Sequence, residues 1–275
     1  MTAVQVQRTG PRTTVQDLGR PGYAHLGVPR AGAADPASLR RANALVGNDD
    51  TAAALESTLG GLEVVAIGTM RVACVGAPLI VGGTDHDAAV TVTDGASVRI
   101  APPLTGVYSY LAVAGGLDMP AVLSSRSTDT LSGLGPAVIA AGDVLPVGDR
   151  STTLRATEAR RAADGPLHVI LGPRDDWFTE EAIRRFLATE WTVQPDSDRT
   201  GLRLAGTPLE RRTGDELPSE GMVAGAIQVP PDGQPIVFLA NHPTTGGYPV
   251  IAVIRSNDVG RVAQSRPGQR LQFQL

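Results

Sequence analysis

Glycine and proline interrupt this chain so often that long helices have little room to form. The 275 residues include 32 Gly and 21 Pro, while aromatic residues make up only 4%. Between these breaks lie short apolar runs such as Leu62–Ile67, Val107–Val113 and Val250–Ile254. Runs of this kind, bounded by turn-forming residues, are typical of β-strands. Because the apolar content of 42% suffices for a full core, the sequence predicts a mainly β fold with a few short helices.

Two helices are predicted within this β pattern. The first begins at Asp35 and Pro36, since Asp caps free backbone N–H groups and Pro suits the first turn. It ends at Gly47, a residue type that often closes helices. The second begins near Asp176 and carries Phe186 on its apolar face.

The domain organisation follows from one polar segment in the middle of the chain. Residues 150–165 lack β signals, and we therefore predict a first unit at residues 1–150, a linker at 151–165 and a second unit at 166–275. Short echoes between the halves, AVAGGLDMP from Ala112 and TTGGYPV from Thr244, recur at an offset of about 130 residues. They favour two β-barrel-like units of similar design.

Composition excludes several classes of function. The chain contains no lysine, so it has neither a P-loop lysine, nor a Schiff-base lysine, nor a lysine that carries covalent biotin. The net charge is −4 and the arginines are scattered, so we expect no nucleic-acid or membrane binding. The lone Cys74 is expected to be a buried core thiol. With no signal segment and no cysteine pairs, the sequence predicts a cytoplasmic protein.

The standard motifs of catalysis are missing. The four histidines are far apart in sequence, and there is no HExxH, CxxC or GxSxG pattern. We therefore predict no metal site, and the chemistry has to be inferred from local constellations of polar residues.

The richest constellation is the segment Ser219–Ile254, in which polar residues stand at glycine-shaped turns. Such loops are where functional residues concentrate. Glu220 is a candidate acid or base, His242 a candidate proton carrier, and Gln228 a candidate reader of a substrate amide. The hydroxyls and backbone N–H groups of the next turn are candidates for holding an oxyanion or phosphate; these residues are Thr244, Thr245, Gly246, Gly247 and Tyr248.

Three further constellations have two interpretations each. Arg126 lies among hydroxyls in the segment Ser124–Thr130, which either holds an anion or forms a solvated hairpin. Arg199 and Arg203 flank one turn and form either a clamp for carboxylate or phosphate, or an ion network with nearby aspartates. The segment Thr13–Gly27, with Gln16, Asp17 and Arg20, is either a polar loop that leads to a site or a turn braced by an Asp17–Arg20 contact.

Several segments together carry a family resemblance that spans nearly the whole chain. The chain resembles the allophanate hydrolase subunit 2 family, whose members are also called 5-oxoprolinase C-subunits or Kip-antagonist (KipA) proteins. It is also similar to the second part of the carboxyltransferase domain of urea carboxylase. The segments that carry the resemblance are Thr14–Asn48, Tyr110–Thr130, Ser197–Leu204, Ser219–Pro249 and Asn257–Phe273.

This resemblance implies two tandem cyclophilin-like β-barrel domains and a heteromeric enzyme. The implied partner is a subunit 1 or Kip-inhibitor-like (KipI-like) protein, together with a LamB/YcsF-type protein in the 5-oxoprolinase case. The activity that we expect is ATP-dependent opening of 5-oxoproline, a small amide, to glutamate, with ATP bound by this chain or together with a partner. Asn241 often appears as Asp in relatives, and we assign it no catalytic part.

Two alternatives remain open from the sequence. One is a carboxyltransferase subunit that acts on urea or another amide, with biotin carried by another chain. The other is a regulator without catalysis that antagonises a Kip-inhibitor-like protein. In the enzymatic interpretation, Arg199 and Arg203 are expected to neutralise carboxylate or phosphate, and Glu220 or His242 to move protons.

Overall fold

The chain divides into two compact units. The computed structural model describes residues 2–149 and 165–275. One unit contains Met1–Pro21 with Ala31–Arg160, and the other contains Gly22–Arg30 with Arg161–Leu275. The segment Gly22–Arg30, which the sequence boundaries assign to the first unit, therefore groups with the second. Of the predicted linker, residues 151–164 lie outside the described residues.

The described part of the first unit consists of two antiparallel sheets and one helix. Its strands are β1 (Ala3–Thr9), β2 (Arg12–Gln16), β3 (Ala54–Thr58), β4 (Leu62–Ile67), β5 (Met70–Val75), β6 (Leu79–Val81), β7 (Thr84–His86), β8 (Val90–Val92), β9 (Ser97–Ile100), β10 (Tyr108–Val113) and β11 (Val144–Pro146). The six-stranded sheet has the order β11-β1-β4-β9-β6-β7, and the five-stranded sheet has the order β2-β3-β10-β5-β8. Alternate side chains of both sheets enter one shared apolar core, as in β4, where every second residue is buried.

The helix α1 (Pro36–Val46) packs against β10 and β5 and begins as predicted. The Asp35 side chain accepts hydrogen bonds from the N–H groups of Ala37 and Ser38, both at 3.2 Å. The Asp35 N–H itself donates to the Tyr110 hydroxyl at 2.7 Å, and that hydroxyl donates to Glu56 at 2.8 Å. Burial raises the pKa of Tyr110 well above its ordinary value. The helix start is therefore fixed to the sheet by buried polar bonds.

The described part of the second unit is built on one large sheet. Its strands are β12 (Leu167–Leu171), β13 (Trp191–Val193), β14 (Gly201–Ala205), β15 (Glu220–Gly221), β16 (Ala226–Gln228), β17 (Ile236–Phe238), β18 (Thr245–Gly246), β19 (Val250–Ile254), β20 (Arg270–Leu271) and β21 (Phe273–Gln274). Eight of them have the order β20-β13-β14-β17-β16-β19-β12-β21. Since β20 and β21 are separated by one residue yet stand at opposite ends of this order, the sheet curls into a nearly closed barrel. The strands β15 and β18 pair only with each other and form a separate ribbon.

Two helices complete the second unit. The helix α2 (Glu180–Ala188) begins at Thr179, whose hydroxyl accepts from the Ala182 N–H at 3.0 Å. The predicted start near Asp176 was wrong, because Asp175–Trp177 forms a 3-10 turn before the true cap. The helix α3 (Ser256–Ala263) was not predicted. Phe186 of α2 stacks on Phe273 with the ring centroids 4.8 Å apart, so α2 packs on the strand next to the chain end.

The mainly β fold with a few short helices is confirmed. The strands Leu62–Ile67 and Val250–Ile254 agree with the sequence expectation at both ends, and the run expected at Val107–Val113 begins one residue later, at Tyr108. Polar or very short strands were not predicted, among them β2, β3, β14 and the β15–β18 ribbon. Within residues 2–149 and 165–275, no helix combines the length and apolar character that crossing a membrane requires.

Candidate functional site

In the first unit, two of the polar constellations meet around Asp17. This side chain lies directly after β2, and its carboxylate accepts four hydrogen bonds. The donors are the Gly19 N–H at 2.7 Å, the Ser125 hydroxyl at 2.7 Å, the Ser127 hydroxyl at 2.5 Å and the Arg126 N–H at 2.6 Å. The two loops are therefore tied together by one buried carboxylate, although they lie about 110 residues apart in sequence.

Arg20 strengthens the same junction from within the protein. Its side chain is 1% exposed and donates to the carbonyl oxygens of Ser127 at 2.5 Å and Val122 at 3.4 Å. Burial lowers the pKa of this guanidinium, while the carboxylates of Asp129 and Asp17 oppose that shift. Of the two interpretations of the segment Thr13–Gly27, this geometry favours the structural one. Asp17 and Arg20 brace loops, mainly through backbone and hydroxyl groups.

A cleft opens beside this junction, within the first unit. Its volume is about 390 Å³, and its lining residues are Asp17, Leu18, Gly19, Asp49, Thr51, Ser124 and Arg126. Arg126 donates from Nη2 to Asp118 at 3.1 Å, and its Nε is buried with no hydrogen-bond partner. Arg126 is thus placed on a cleft, as an anion-binding residue would be, but it already faces one carboxylate.

In the second unit, some of the predicted residues lie at the β15–β18 ribbon. Glu220 pairs with Gly246, and Gly221 pairs with Thr245. The Met222 N–H donates to the Thr244 carbonyl at 2.9 Å and extends the pairing. The ribbon therefore places the Glu220 backbone directly opposite the Thr244–Tyr248 segment.

Arg174 holds the Glu220 side chain. Its guanidinium donates to both carboxylate oxygens of Glu220, from Nε to Oε2 at 3.1 Å and through a second bond from Nη2 to Oε1. The hydrogen bond to Glu220 raises the pKa of Arg174. The two side chains are 36% and 27% exposed, so this ion pair lies at the surface. Glu220 is thus an anchored carboxylate with access to solvent.

Gln228 lies at the end of β16, beneath the ribbon. It is buried, and its Oε1 has no hydrogen-bond partner. A Cβ atom added to Gly246 would stand 3.3 Å from this oxygen and 3.2 Å from Cε of Met222. The ribbon backbone thus lies close over the Gln228 amide, and only glycine fits there without displacing a neighbour.

Arg211 adds a second guanidinium to this region. It donates from Nη2 to the carbonyl oxygen of Val229, the residue after Gln228, and its guanidinium carbon lies 5.8 Å from the Tyr248 ring centroid. Its Nε is buried without a partner. Burial lowers the pKa of Arg211, while Tyr248 and Asp232 oppose that shift. Arg211 was not predicted as a site residue, because nothing in the chain order indicates that it contacts this strand.

The middle of the Thr244–Tyr248 segment is extended. Thr245 and Gly246 form a strand, and neither Gly246 nor Gly247 has a positive φ. An anion nest needs successive N–H groups turned to one side by a left-handed residue. The nest geometry expected from the glycine content is therefore not formed, because strand pairing with Glu220 and Gly221 holds the backbone straight.

His242 is buried beside this segment, with its Nδ1 2.7 Å from the Pro243 carbonyl oxygen. Its ring centroid lies 6.0 Å from that of Phe238. These surroundings are typical of a structural histidine whose tautomer is fixed by a backbone carbonyl. Glu220 is therefore the better placed of the two proposed proton carriers.

Arg199 and Arg203 differ in burial and in partners. Arg199 is buried and donates to the Asn241 side chain at 3.4 Å, and the Asn241 N–H donates back to the Arg199 carbonyl at 2.9 Å. Arg203 lies on the outside of β14 and pairs with Asp196 at 3.1 Å. For Arg203 the ion-network interpretation matches the observed contacts, whereas Arg199 ties two loops together.

The chain contains one cysteine. Cys74, which was expected to be a buried core thiol, is only partly buried and packs against the core of the first unit. Desolvation nevertheless raises the pKa of its thiol to about 12, which disfavours the reactive thiolate. Among the residues that the structure describes, no three His, Cys, Asp or Glu side chains are grouped so that they could hold a metal ion.

Comparison with known proteins identifies the family. Residues 26–275 match the model of the carboxyltransferase domain, subdomain A and B. The chain belongs to this family. It is 38% identical to the C-subunit of 5-oxoprolinase from Escherichia coli (strain K12), over 98% of this chain and 90% of that protein.

Solved structures agree with this assignment. The crystal structure of TTHA0988 is 33% identical with a TM-score of 0.90, and it aligns over 100% of this chain and 56% of that one. The K. lactis urea amidolyase structure is 28% identical with a TM-score of 0.91, over 98% of this chain but only 18% of that enzyme. The same fold therefore recurs as a small part of a much longer enzyme.

Proposed function

We propose that this chain is a subunit of a heteromeric enzyme that activates an amide, and specifically of an ATP-dependent 5-oxoprolinase. The observation that carries the proposal is the match to the C-subunit of 5-oxoprolinase, which extends over 98% of this chain and 90% of that protein. The match to urea amidolyase covers only 18% of that enzyme. Most of urea amidolyase therefore has no counterpart in this chain, whereas nearly all of the 5-oxoprolinase subunit does.

The proposed chemistry needs an energy source. Opening a five-membered lactam is uphill without an energy source. In the proposed reaction ATP phosphorylates the amide oxygen, water adds to the amide carbon, and the C–N bond then breaks to leave an acyl phosphate. A second water then hydrolyses the acyl phosphate, so that 5-oxoproline, ATP and two waters give glutamate, ADP and phosphate. Since this chain has no lysine, any lysine contact to the ATP phosphates comes from a partner, for which we propose a subunit 1 or Kip-inhibitor-like protein and a LamB/YcsF-type protein.

Within this chain we assign the proton transfer to Glu220. It is anchored by Arg174 yet reaches solvent, and a carboxylate placed so supports general acid–base catalysis. His242 is the weaker candidate because its ring is buried against the Pro243 carbonyl.

The decisive experiment is reconstitution. The chain is co-expressed with the two proposed partner proteins, and ATP-dependent formation of glutamate and phosphate from 5-oxoproline is measured. We expect turnover that requires this chain and that falls by about 100-fold or more in Glu220→Gln. Glu190→Gln serves as the matched control, since Glu190 is an exposed carboxylate paired with Arg270.

A second candidate function is carboxyl transfer, favoured by the family description itself. In that case biotin is carried on another chain, and urea or another amide accepts the carboxyl group. Reconstituted complexes that show no ATP-dependent turnover of 5-oxoproline would contradict the first proposal and favour this one. Turnover that is undiminished when the chain is omitted would contradict both and leave a regulatory role.

A further inference from the structure

The amide oxygen of Gln228 is buried without a hydrogen-bond donor. Gln228 stands on β16 beside Ala226 and Ile227, both fully buried apolar residues. Its Oε1 is buried and has no hydrogen-bond partner. An unpaired buried acceptor destabilises a fold, so a position with only a packing role would favour leucine or methionine. The unpaired oxygen instead indicates an absent donor.

The β15–β18 ribbon covers this oxygen. The Gly246 backbone lies so near that a Cβ would come within 3.3 Å. The ribbon is only two residue pairs long and belongs to no other sheet. On its outer side the ribbon is held by the surface ion pair between Arg174 and Glu220. A short ribbon held in this way opens at low cost.

A second unpaired group bonds to the residue that follows Gln228. Arg211 bonds to the carbonyl of Val229, directly after Gln228, and its Nε is buried without a partner. A guanidinium binds carboxylates through several N–H groups at once. Gln228 thus offers a free acceptor for an N–H group. Arg211, which bonds to the carbonyl of the next residue, offers N–H donors for a carboxylate.

We propose that Gln228 Oε1 accepts the N–H of an amide substrate, that Arg211 holds a carboxylate of the same molecule, and that the ribbon lifts to admit it. The ligand class is a small secondary amide or lactam that bears a carboxylate, which 5-oxoproline satisfies and urea does not. This inference rests on the proposed function, since it assigns substrate contacts within that enzyme.

The test uses the reconstituted enzyme with ATP and two substrates, 5-oxoproline and its N-methyl derivative, which lacks the N–H. We expect Gln228→Leu to lower kcat/KM for 5-oxoproline by about 10- to 100-fold. We also expect it to remove most of the preference over the N-methyl compound. Gln274→Leu is the matched control, because Gln274 is exposed on β21, and it is expected to keep both values.

Two measurements separate a binding role from a packing role. Gln228→Leu is expected to unfold at the same or a higher urea midpoint than the wild type, since it removes an unpaired acceptor. Gln228→Met provides a second apolar variant if Leu does not fit. Inhibition by 2-pyrrolidone, a lactam without a carboxylate, is expected to weaken in Gln228→Leu and to persist in Arg211→Gln.

The outcomes distinguish the two proposals. An active wild-type enzyme whose Gln228→Leu and Gln228→Met variants keep kcat/KM and the full preference for the N–H substrate would overturn this inference alone. Loss of activity accompanied by a large loss of stability in both variants would also overturn it, in favour of a packing role. A wild-type complex without 5-oxoproline turnover would overturn the proposed function and this inference together.

Discussion

Two carboxylates, one in each unit, stand in Gly- and Pro-rich segments of similar appearance and are held in opposite ways. Asp17 is 7% exposed and accepts four hydrogen bonds from backbone N–H groups and serine hydroxyls. Glu220 is more exposed and is held by the single guanidinium of Arg174. The first is fixed from several directions by neutral donors, whereas the second is fixed by one long, flexible side chain.

These two modes of attachment differ in how much they contribute to stability and in how easily they break. A buried charge is tolerated when every direction is occupied by a donor, and such a group cannot move without breaking all of those bonds. A surface ion pair contributes little to stability and exchanges readily with water. Asp17 therefore belongs to the scaffold, whereas Glu220 can change its partner without disrupting the fold, as its proposed role in proton transfer requires.

Removal of the Asp17 carboxylate should lower the free energy of unfolding far more than removal of an exposed carboxylate. Asp17→Ala leaves two serine hydroxyls and two N–H groups without their acceptor, and it removes a negative charge near the buried Arg20. We expect the free energy of unfolding of the first unit to fall by about 3 to 5 kcal/mol, as measured by urea denaturation. Asp118→Ala is the control, since that carboxylate is 58% exposed and should cost under about 1 kcal/mol. Equal losses in the two variants would contradict the scaffold role.

The sequence predicted the positions of strands and helices better than the roles of the polar residues that they carry. Strands with alternating or continuous apolar residues, such as β4 and β19, were located at both ends because periodicity reports burial directly. The start of α1 was likewise predicted from Asp35 and Pro36. The helix α3 was not predicted, because Ser256–Ala263 mixes polar residues and a glycine with few apolar ones.

The site was less predictable, for a physical reason. Asp17 and Ser127 meet across about 110 residues, and Arg174 meets Glu220 across 46. Contacts at such separations depend on sheet order, which a single sequence does not reveal. Glu220 and Gln228 were proposed as site residues from residue type and the surrounding glycine-rich turns, whereas Arg174 and Arg211 were not, because arginines are scattered along the whole chain.

Removal of a third carboxylate, Asp258 near the start of α3, should lower the free energy of unfolding by an intermediate amount that depends on pH. Burial alone would raise its pKa, but hydrogen bonds from the His168 N–H, from Arg261 and from the His168 ring together lower it. A carboxylate with a lowered folded pKa stabilises the fold above its unfolded pKa of 3.8, and that contribution is lost as the pH falls through the folded value.

The corresponding test compares the wild type with Asp258→Asn in urea at a series of pH values from about 6 down to 3. We expect the wild type to be the more stable at the upper end, with a difference that narrows once the pH falls below 3.8. A difference that stays constant over the whole series would show that the charge of Asp258 is not what stabilises the helix start.

Arg174 should matter least for global stability, and its loss tests the contrast with Asp17 most directly. Arg174→Gln removes the guanidinium that holds Glu220 but leaves the β15–β18 pairing and its backbone bonds in place. Because the pair lies at the surface, the urea midpoint should change too little to resolve. Amide hydrogen exchange in the ribbon should nevertheless accelerate several-fold, since local opening no longer breaks the ion pair. Arg184→Gln, which breaks an exposed pair with Glu181 on α2, is the control and should leave exchange at Glu220–Met222 and Thr245–Gly246 unchanged. Unaltered exchange in Arg174→Gln would mean that the ribbon is held by its packing on Met222 and Gln228 alone. The contrast between a fixed carboxylate at Asp17 and a releasable one at Glu220 would then be wrong.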